Sequence, residues 1–290
     1  MEKVILWFGN LDKGDVHLVG GKGANLGELF SYFPVPNGFC VTVQNYKRFL
    51  EETGIGSDIH ELLDSLDVEN QDNLEKVSGK IRDTIVRQKI PADIEKEILK
   101  NYHRLKNNKV AVRSSATTED LAGASFAGQH DTYLNVKGPQ ALIKSVKKCW
   151  ASLFTERVLC YRKNNKLSHK NTLMSVVVQE MVDAEYAGVI FTVDPVNKKE
   201  ILIEVVKGLG EQLVSGNVTP NTYFMNKKTY KIENKAEYFY FDKKNLKAVS
   251  EIGERIEKHY RCPQDIEFCI DKKGKLFIVQ SRPITTLLKR

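Results

Sequence analysis

Two runs near the end of the chain, DIEFCID (265–271) and KLFIVQSR (275–282), carry oxygen donors and a cation at alternate positions. In extended backbone, Asp265 and Glu267 fall on one face of the first run, and Gln280 and Arg282 on one face of the second. Folded about the intervening Lys-Lys-Gly turn, an even loop pairs Asp265 with Gln280 and Glu267 with Ile278, and all four polar groups share a side. An odd loop breaks that arrangement unless a bulge restores it. Ile266, Phe268, Ile270, Phe277 and Val279 are then expected to form the apolar, core-facing side. Two carboxylates, an amide and an arginine suit oxygen ligation of Mg2+ with a phosphate beside it. A cross-strand salt bridge is the competing reading.

Two more places bear cations in settings that suit an anion. In LVGGKGANLGEL (18–29), Lys22 is framed by glycines where a helix is expected to start. The pattern is neither a Walker loop, because Gly23 follows the lysine, nor G-x-G-x-x-G. Free backbone N–H groups, the helix dipole and the ammonium can hold an anion there, and a solvent-exposed turn lysine is the plain alternative. In RSSATTEDLAGASFAGQHD (113–131), Arg113 ends a strand and the following stretch is rich in alanine, serine and glycine. Small residues let a backbone approach a ligand and donate several N–H groups, while the arginine fork grips a phosphate. A flexible surface linker is the alternative, although linkers are seldom bounded by two strands or furnished with a phenylalanine such as Phe126. QEMV (179–182) closes a strand whose edge can offer backbone groups to a purine, as any sheet edge can.

The elements around these sites follow from periodicity. A short strand at 4–9 precedes helical spacing at Leu26, Leu29, Phe30 and Phe33, which the prolines of PVPNGF end. Thr42 caps a helix that stops at Gly54, and residues 57–106 are polar and helical in period, with Ile94, Ile98, Tyr102 and Leu105 as an apolar stripe. KVAVRSS and DTYLNV are strands on either side of the small-residue stretch, and Pro139 opens a helix carrying Leu142, Val146 and Trp150. SVVVQEM and GVIFTVD are expected to form a hairpin, with further strands at ILIEVV, TYFMN and KAEYFYF. Helices dominate first and strands later, which predicts an α+β protein. Its boundaries are placed at 1–180 and 181–290.

The 290 residues carry a formal charge of +7, and 41% are hydrophobic. No apolar run reaches the roughly 18 residues a membrane helix needs, and MEKVILWFGN lacks the plan of an export signal, so a cytoplasmic protein without membrane contact is expected. The five cysteines are scattered without C-x-x-C spacing, which suggests neither a disulfide framework nor a zinc site. The lysines are dispersed and accompany no nucleic-acid motif, so a polyphosphate ligand is preferred to nucleic acid.

In order along the chain, VGGKGANLGEL, PVPNGFCVT, AVRSSATTEDLAGASFAGQHDTYLNV, GVIFTVDP, KGLGEQLVSGNVTPNTY, DIEFCI and IVQSRPITT resemble the ATP-grasp nucleotide-binding domain of the phosphoenolpyruvate synthase and pyruvate phosphate dikinase family. The resemblance runs from about Val19 to Thr286 and extends to the related rifampin phosphotransferases, which the ending QSRPITTL favours. It implies an α+β ATP-grasp fold of two lobes with ATP and Mg2+ in the cleft between them. It also implies transfer of the ATP β-phosphate to a histidine on a separate swivelling domain, with AMP and phosphate released. Carried over by residue, Lys22 and Arg113 grip phosphates, and Gly128 and Thr132 belong to the loop over them. Gln179, Glu180, Met181 and Val182 hold the adenine end. Glu267 and Gln280 ligate Mg2+ with Asp265 nearby, and Arg282 meets the phosphates. Nothing resembling the family's phosphorylatable histidine segment surrounds His17, His60, His103, His130, His169 or His259, and no acceptor domain is evident. The implied partner is therefore a histidine domain supplied in trans or lost by truncation, with an acceptor such as pyruvate or rifampin bound elsewhere. A non-catalytic ATP sensor is the alternative, and a complete metal and phosphate set weighs against it.

Overall fold

The computed structural model describes residues 4–117, 131–165, 167–168, 172–196, 199–210, 213, 216 and 218–284. The chain divides into two compact units, Met1–Ser31 with Asn37–Met181, and Tyr32–Pro36 with Val182–Arg290.

The first unit is built on a five-stranded antiparallel sheet of β1 (Ile5–Trp7), β2 (Gly38–Val41), β3 (Lys109–Ala116), β4 (Thr132–Lys137) and β5 (Met174–Glu180), in the order β1-β2-β5-β3-β4. Alternation along the strands gives the sheet two unlike faces. Phe39, Val41, Val110, Val112, Ala116, Val176 and Val178 enter one large apolar cluster. Its other side comes from α2 (Val43–Glu52), α3 (Ile55–Asp64), α4 (Gln71–Arg87), α5 (Ala92–Tyr102) and α6 (Pro139–Ala151). The expected stripe of Ile94, Ile98, Tyr102 and Leu105 is buried in it. Trp150 lies with Phe49 and Tyr46 at ring-centroid distances of 4.8 and 5.8 Å. Burying a large apolar side chain contributes about 1.5–3 kcal/mol, so this cluster fixes the sheet that carries Arg113. Against β3 and β5 also lies α1 (Val16–Phe30), and α7 (Glu156–Asn164) follows α6.

The second unit holds a six-stranded antiparallel sheet in the order β11-β10-β6-β7-β8-β9. The strands are β6 (Ala184–Phe191), β7 (Ile201–Lys207), β8 (Asn221–Met225), β9 (Ile232–Ala236), β10 (Gln264–Asp271) and β11 (Leu276–Pro283). The helix α8 (Lys243–Tyr260) packs against β6 and β10 through a buried stripe that includes Leu246, Val249, Ile252 and Ile256. Asp242 starts it by accepting from the Lys244 N–H at 3.0 Å. That cap and stripe are local signals, but the elements expected from the sequence did not include this helix. Among the described residues, no helix is long and apolar enough to cross a membrane.

Three expectations are corrected. SVVVQEM and GVIFTVD do not form a hairpin: β5 lies between β2 and β3, whereas β6 lies between β10 and β7 in the other sheet. Two adjacent strands of high propensity read alike whether they pair with each other or separate into different sheets. The strand expected through KAEYFYF ends at Ala236, after which Phe239 and Phe241 pack on Tyr186 at 6.1 and 5.2 Å instead of continuing the ladder. In the terminal hairpin, Phe277 and Val279 are only half-buried and Ile278 takes the core position. A bulge between Glu267 and Phe268 moves the register by one residue there, and one residue exchanges the faces of a strand.

Candidate functional site

On the first unit's sheet, Arg113 stands opposite Thr132 on β4 and Val177 on β5, so the three share the face turned away from the apolar cluster. Ser115 and Gln179 lie on the same face by alternation. Arg113 is only 7% exposed, a placement that costs free energy for a cation and makes its surroundings specific.

Ser115 ties this face to Lys22. Its hydroxyl accepts from the Gly23 N–H at 3.1 Å and donates to the Val19 carbonyl at 2.7 Å. Helix α1 is broken between those contacts, where Gly20 has φ 69° and ψ 174°. A Cβ at Gly20 would stand 2.3 Å from the Ser115 carbonyl oxygen, so both the backbone angle and the space demand glycine. Lys22 therefore sits, half-buried, in the first turn after the break, as the sequence led one to expect. One correction applies: the Gly23 N–H is already engaged by Ser115, which leaves fewer backbone donors for an anion. Gly20→Ala is expected to lower stability by about 2–4 kcal/mol in urea unfolding, since left-handed strain and a backbone clash combine.

The entry to β4 is fixed as firmly. The Asp131 carbonyl accepts from the Ser114 N–H at 3.2 Å and the Ser114 hydroxyl at 2.8 Å. The Asp131 carboxylate accepts from the Tyr133 hydroxyl at 2.8 Å and from Arg157 at 3.2 Å. Burial pushes the Cys149 thiol well up, and the Asp131 carboxylate adds to this while the Lys22 ammonium opposes it. Ser115 and Asp131 were missed as site-building residues because a serine or aspartate in a polar loop carries no signal of its partner. Gly128 and His130 lie outside the described residues.

At the end of β5, Gln179 is 2% exposed and stands opposite Gly38 and Ala111. The Glu180 carboxylate accepts from the Lys106 and Asn107 N–H groups at 2.6 and 3.1 Å. The Glu180 N–H donates to the Asn37 carbonyl, the Met181 N–H to the Lys109 carbonyl, and the Asn107 amide to the Met181 carbonyl. In QEMV, two of the N–H groups expected to face adenine are therefore used internally. Val182 lends its carbonyl to Ala184 at 2.9 Å.

The second unit presents the other set. Asp265 pairs with Arg282 and Glu267 with Gln280, so all four share a face, but with partners displaced by two residues from the even-loop expectation. The Lys-Lys-Gly turn alone would pair the wrong residues, and the bulge restores the polar face. Arg282 donates through Nε and Nη2 to Asp265 Oδ2 at 2.8 and 2.6 Å. The salt bridge considered from the sequence thus exists within the polar face. Asp265 is 9% exposed; burial raises its pKa, Arg282 pulls it down and Glu267 pushes it up. Holding Arg282 in place is thus its clearest task. The same sheet row continues from Glu267 through Val189 to Glu204 and Thr222. Among the described residues, no group of three or more histidine, cysteine, aspartate or glutamate side chains is arranged to hold a metal. A facing carboxylate and amide fit Mg2+ nonetheless, because that ion takes one or two carboxylates and completes its shell with water and substrate phosphates.

The family model described as pyruvate phosphate dikinase, AMP/ATP-binding domain, matches residues 16–237 and 231–290. The chain belongs to this family. A probable phosphoenolpyruvate synthase of Methanothermobacter thermautotrophicus is 43% identical over 99% of this chain and 47% of its own length. One of Archaeoglobus fulgidus is 45% identical over 98% of this chain and 42% of its own. A rifampicin phosphotransferase of Bacillus cereus is 38% identical over 99% of this chain and 36% of its own. The chain thus spans about half the length of these curated relatives, or less. A solved biotin carboxylase complex from Campylobacter jejuni, 12% identical, aligns with 74% of this chain and 40% of its own at a TM-score of 0.32. The matched residues include the strands that carry both polar faces.

Proposed function

We propose that the chain binds Mg·ATP and passes the β-phosphate to a histidine on a separate domain, so that ATP, histidine and water become AMP, inorganic phosphate and phosphohistidine. The observation that carries the proposal is the polar face of the β10/β11 hairpin, where Glu267 meets Gln280 beside an Arg282 oriented by Asp265. Glu267 and Gln280 would hold Mg2+, which supplies charge neutralisation at the polyphosphate. Arg282 would meet phosphate oxygens. In the first unit, Lys22 and Arg113 would grip phosphates, with Thr132 and Gly128 contributing to the segment next to them. Gln179 and Glu180 to Val182 would bound the adenine. Phosphoryl transfer depends mainly on positioning and electrostatics, which is what fixed cations on a rigid sheet provide.

The chain is accordingly an ATP-dependent phosphotransferase module of the dikinase type, an ATP-grasp domain acting in the cytoplasm and incomplete without its histidine domain. The final acceptor, pyruvate or rifampin, belongs to a further domain. The sensor alternative separates cleanly. Incubating the chain with Mg·ATP and a separately made histidine domain of a relative is expected to yield AMP only when both proteins are present. Binding of ATP with no AMP under any such pairing would favour the sensor.

A further inference from the structure

Arg162 lies on the inward stripe of α7 with Val158 and Leu159, at the spacing a buried helical face requires. It is 1% exposed, and its Nε, Nη1 and Nη2 atoms have no acceptor among the described residues. Trp150 on α6 is fully buried, and its indole Nε1 also lacks an acceptor there. Tyr46 on α2 links the two: its ring stands 5.8 Å from that of Trp150, and the Arg162 charge acts on its phenol. Burial pushes the Arg162 pKa down to about 10, with no carboxylate among the causes, so the guanidinium is still charged at neutral pH. Arg282, by contrast, is answered by the Asp265 carboxylate. A buried charge without a counter-charge is among the costliest features a fold can hold, and an anion beside it removes that cost.

We propose that Arg162 binds a halide ion, chloride being the natural one, in the core of the first unit, with the Trp150 indole N–H as a second donor. Guanidinium and indole carry donors only, so the group that answers them is an acceptor with no proton of its own. Around them stand Val158, Leu159, Tyr46 and Phe49, all buried. Such walls cannot meet the several oxygens of a phosphate, whereas a weakly hydrated monovalent ion sheds its water at lower cost and cancels the guanidinium charge one for one. Tyr46, Trp150 and Leu159 belong to the apolar cluster, on the side of the sheet turned away from Arg113, so this site is separate from the phosphate contacts and does not depend on the Mg·ATP reading. The ion would tie α7 to α6 and α2 behind the sheet.

The test is thermal unfolding of the full chain in sodium chloride, sodium bromide and sodium gluconate at equal ionic strength, beside Arg162→Met. An ion present at about a hundred times its Kd lifts the Tm of a chain of this size by several degrees, so the unaltered chain should melt at least about 3 °C higher in either halide than in gluconate. Arg162→Met has no charge to answer; it should melt alike in all three salts, and at least as high as the unaltered chain does in gluconate. Equal melting of the unaltered chain in halide and gluconate, or a halide effect that survives in Arg162→Met, would overturn the assignment. Where Arg162→Met folds poorly, the anomalous scattering of bromide in crystals of the unaltered chain decides. A peak beside the Arg162 guanidinium is expected, and a bromide-soaked crystal without one would overturn the site.

Discussion

Arg113→Met is expected to lower phosphoryl transfer to a histidine domain by at least about a hundredfold, the scale of losing one preorganised donor to developing charge. Arg113 projects from the middle of β3 on the face shared with Thr132, and it is buried, so water cannot stand in for it. Its fork can meet two phosphate oxygens at once, whereas a lysine offers one compact charge. Arg113→Lys should therefore recover only part of the loss. Methionine keeps most of the length and apolar stem of arginine, so the packing around the position and the fold should persist. Unfolding curves for Arg113→Met that match the unaltered chain, together with a collapsed transfer rate, would locate the effect in the site. A transfer rate within a factor of two of the unaltered chain would remove Arg113 from the phosphate contacts.

The second large effect concerns the metal. Glu267→Gln should abolish the coupling between Mg2+ and nucleotide binding: where Mg2+ tightens ATP binding in the unaltered chain, the variant should bind ATP about equally with and without it. Loss of outer contacts alone costs metal affinity tenfold or more, and loss of the carboxylate that faces Gln280 should cost at least that much. Titrations of ATP at saturating and at chelated Mg2+ report the ratio directly. An undiminished Mg2+ effect in Glu267→Gln would place the ion elsewhere.

Much of this was legible because it depended on local pattern. Alternation alone put Asp265 with Glu267 and Gln280 with Arg282, and glycines around Lys22 announced a constrained backbone. The apolar stripe of α5 followed from helical period. What escaped was decided by distant partners. The bulge at Glu267 depends on how β10 meets β11 as a pair, so the partners and the core role of Ile278 could not be read from either strand. The parting of β5 and β6 into different sheets is a tertiary outcome that identical strand propensities do not encode. Ser115 reaches back to Val19 and Gly23 across more than ninety residues, and no spacing rule spans that distance.

The central claim is transfer of the β-phosphate, and position-specific labelling addresses it most directly. The chain is mixed with a histidine domain and Mg·ATP carrying its label at the β-phosphorus. Acid-labile, base-stable phosphohistidine containing that label, formed with one AMP for each histidine modified, is the expected result. Formation of ADP with the label retained in it would contradict the account.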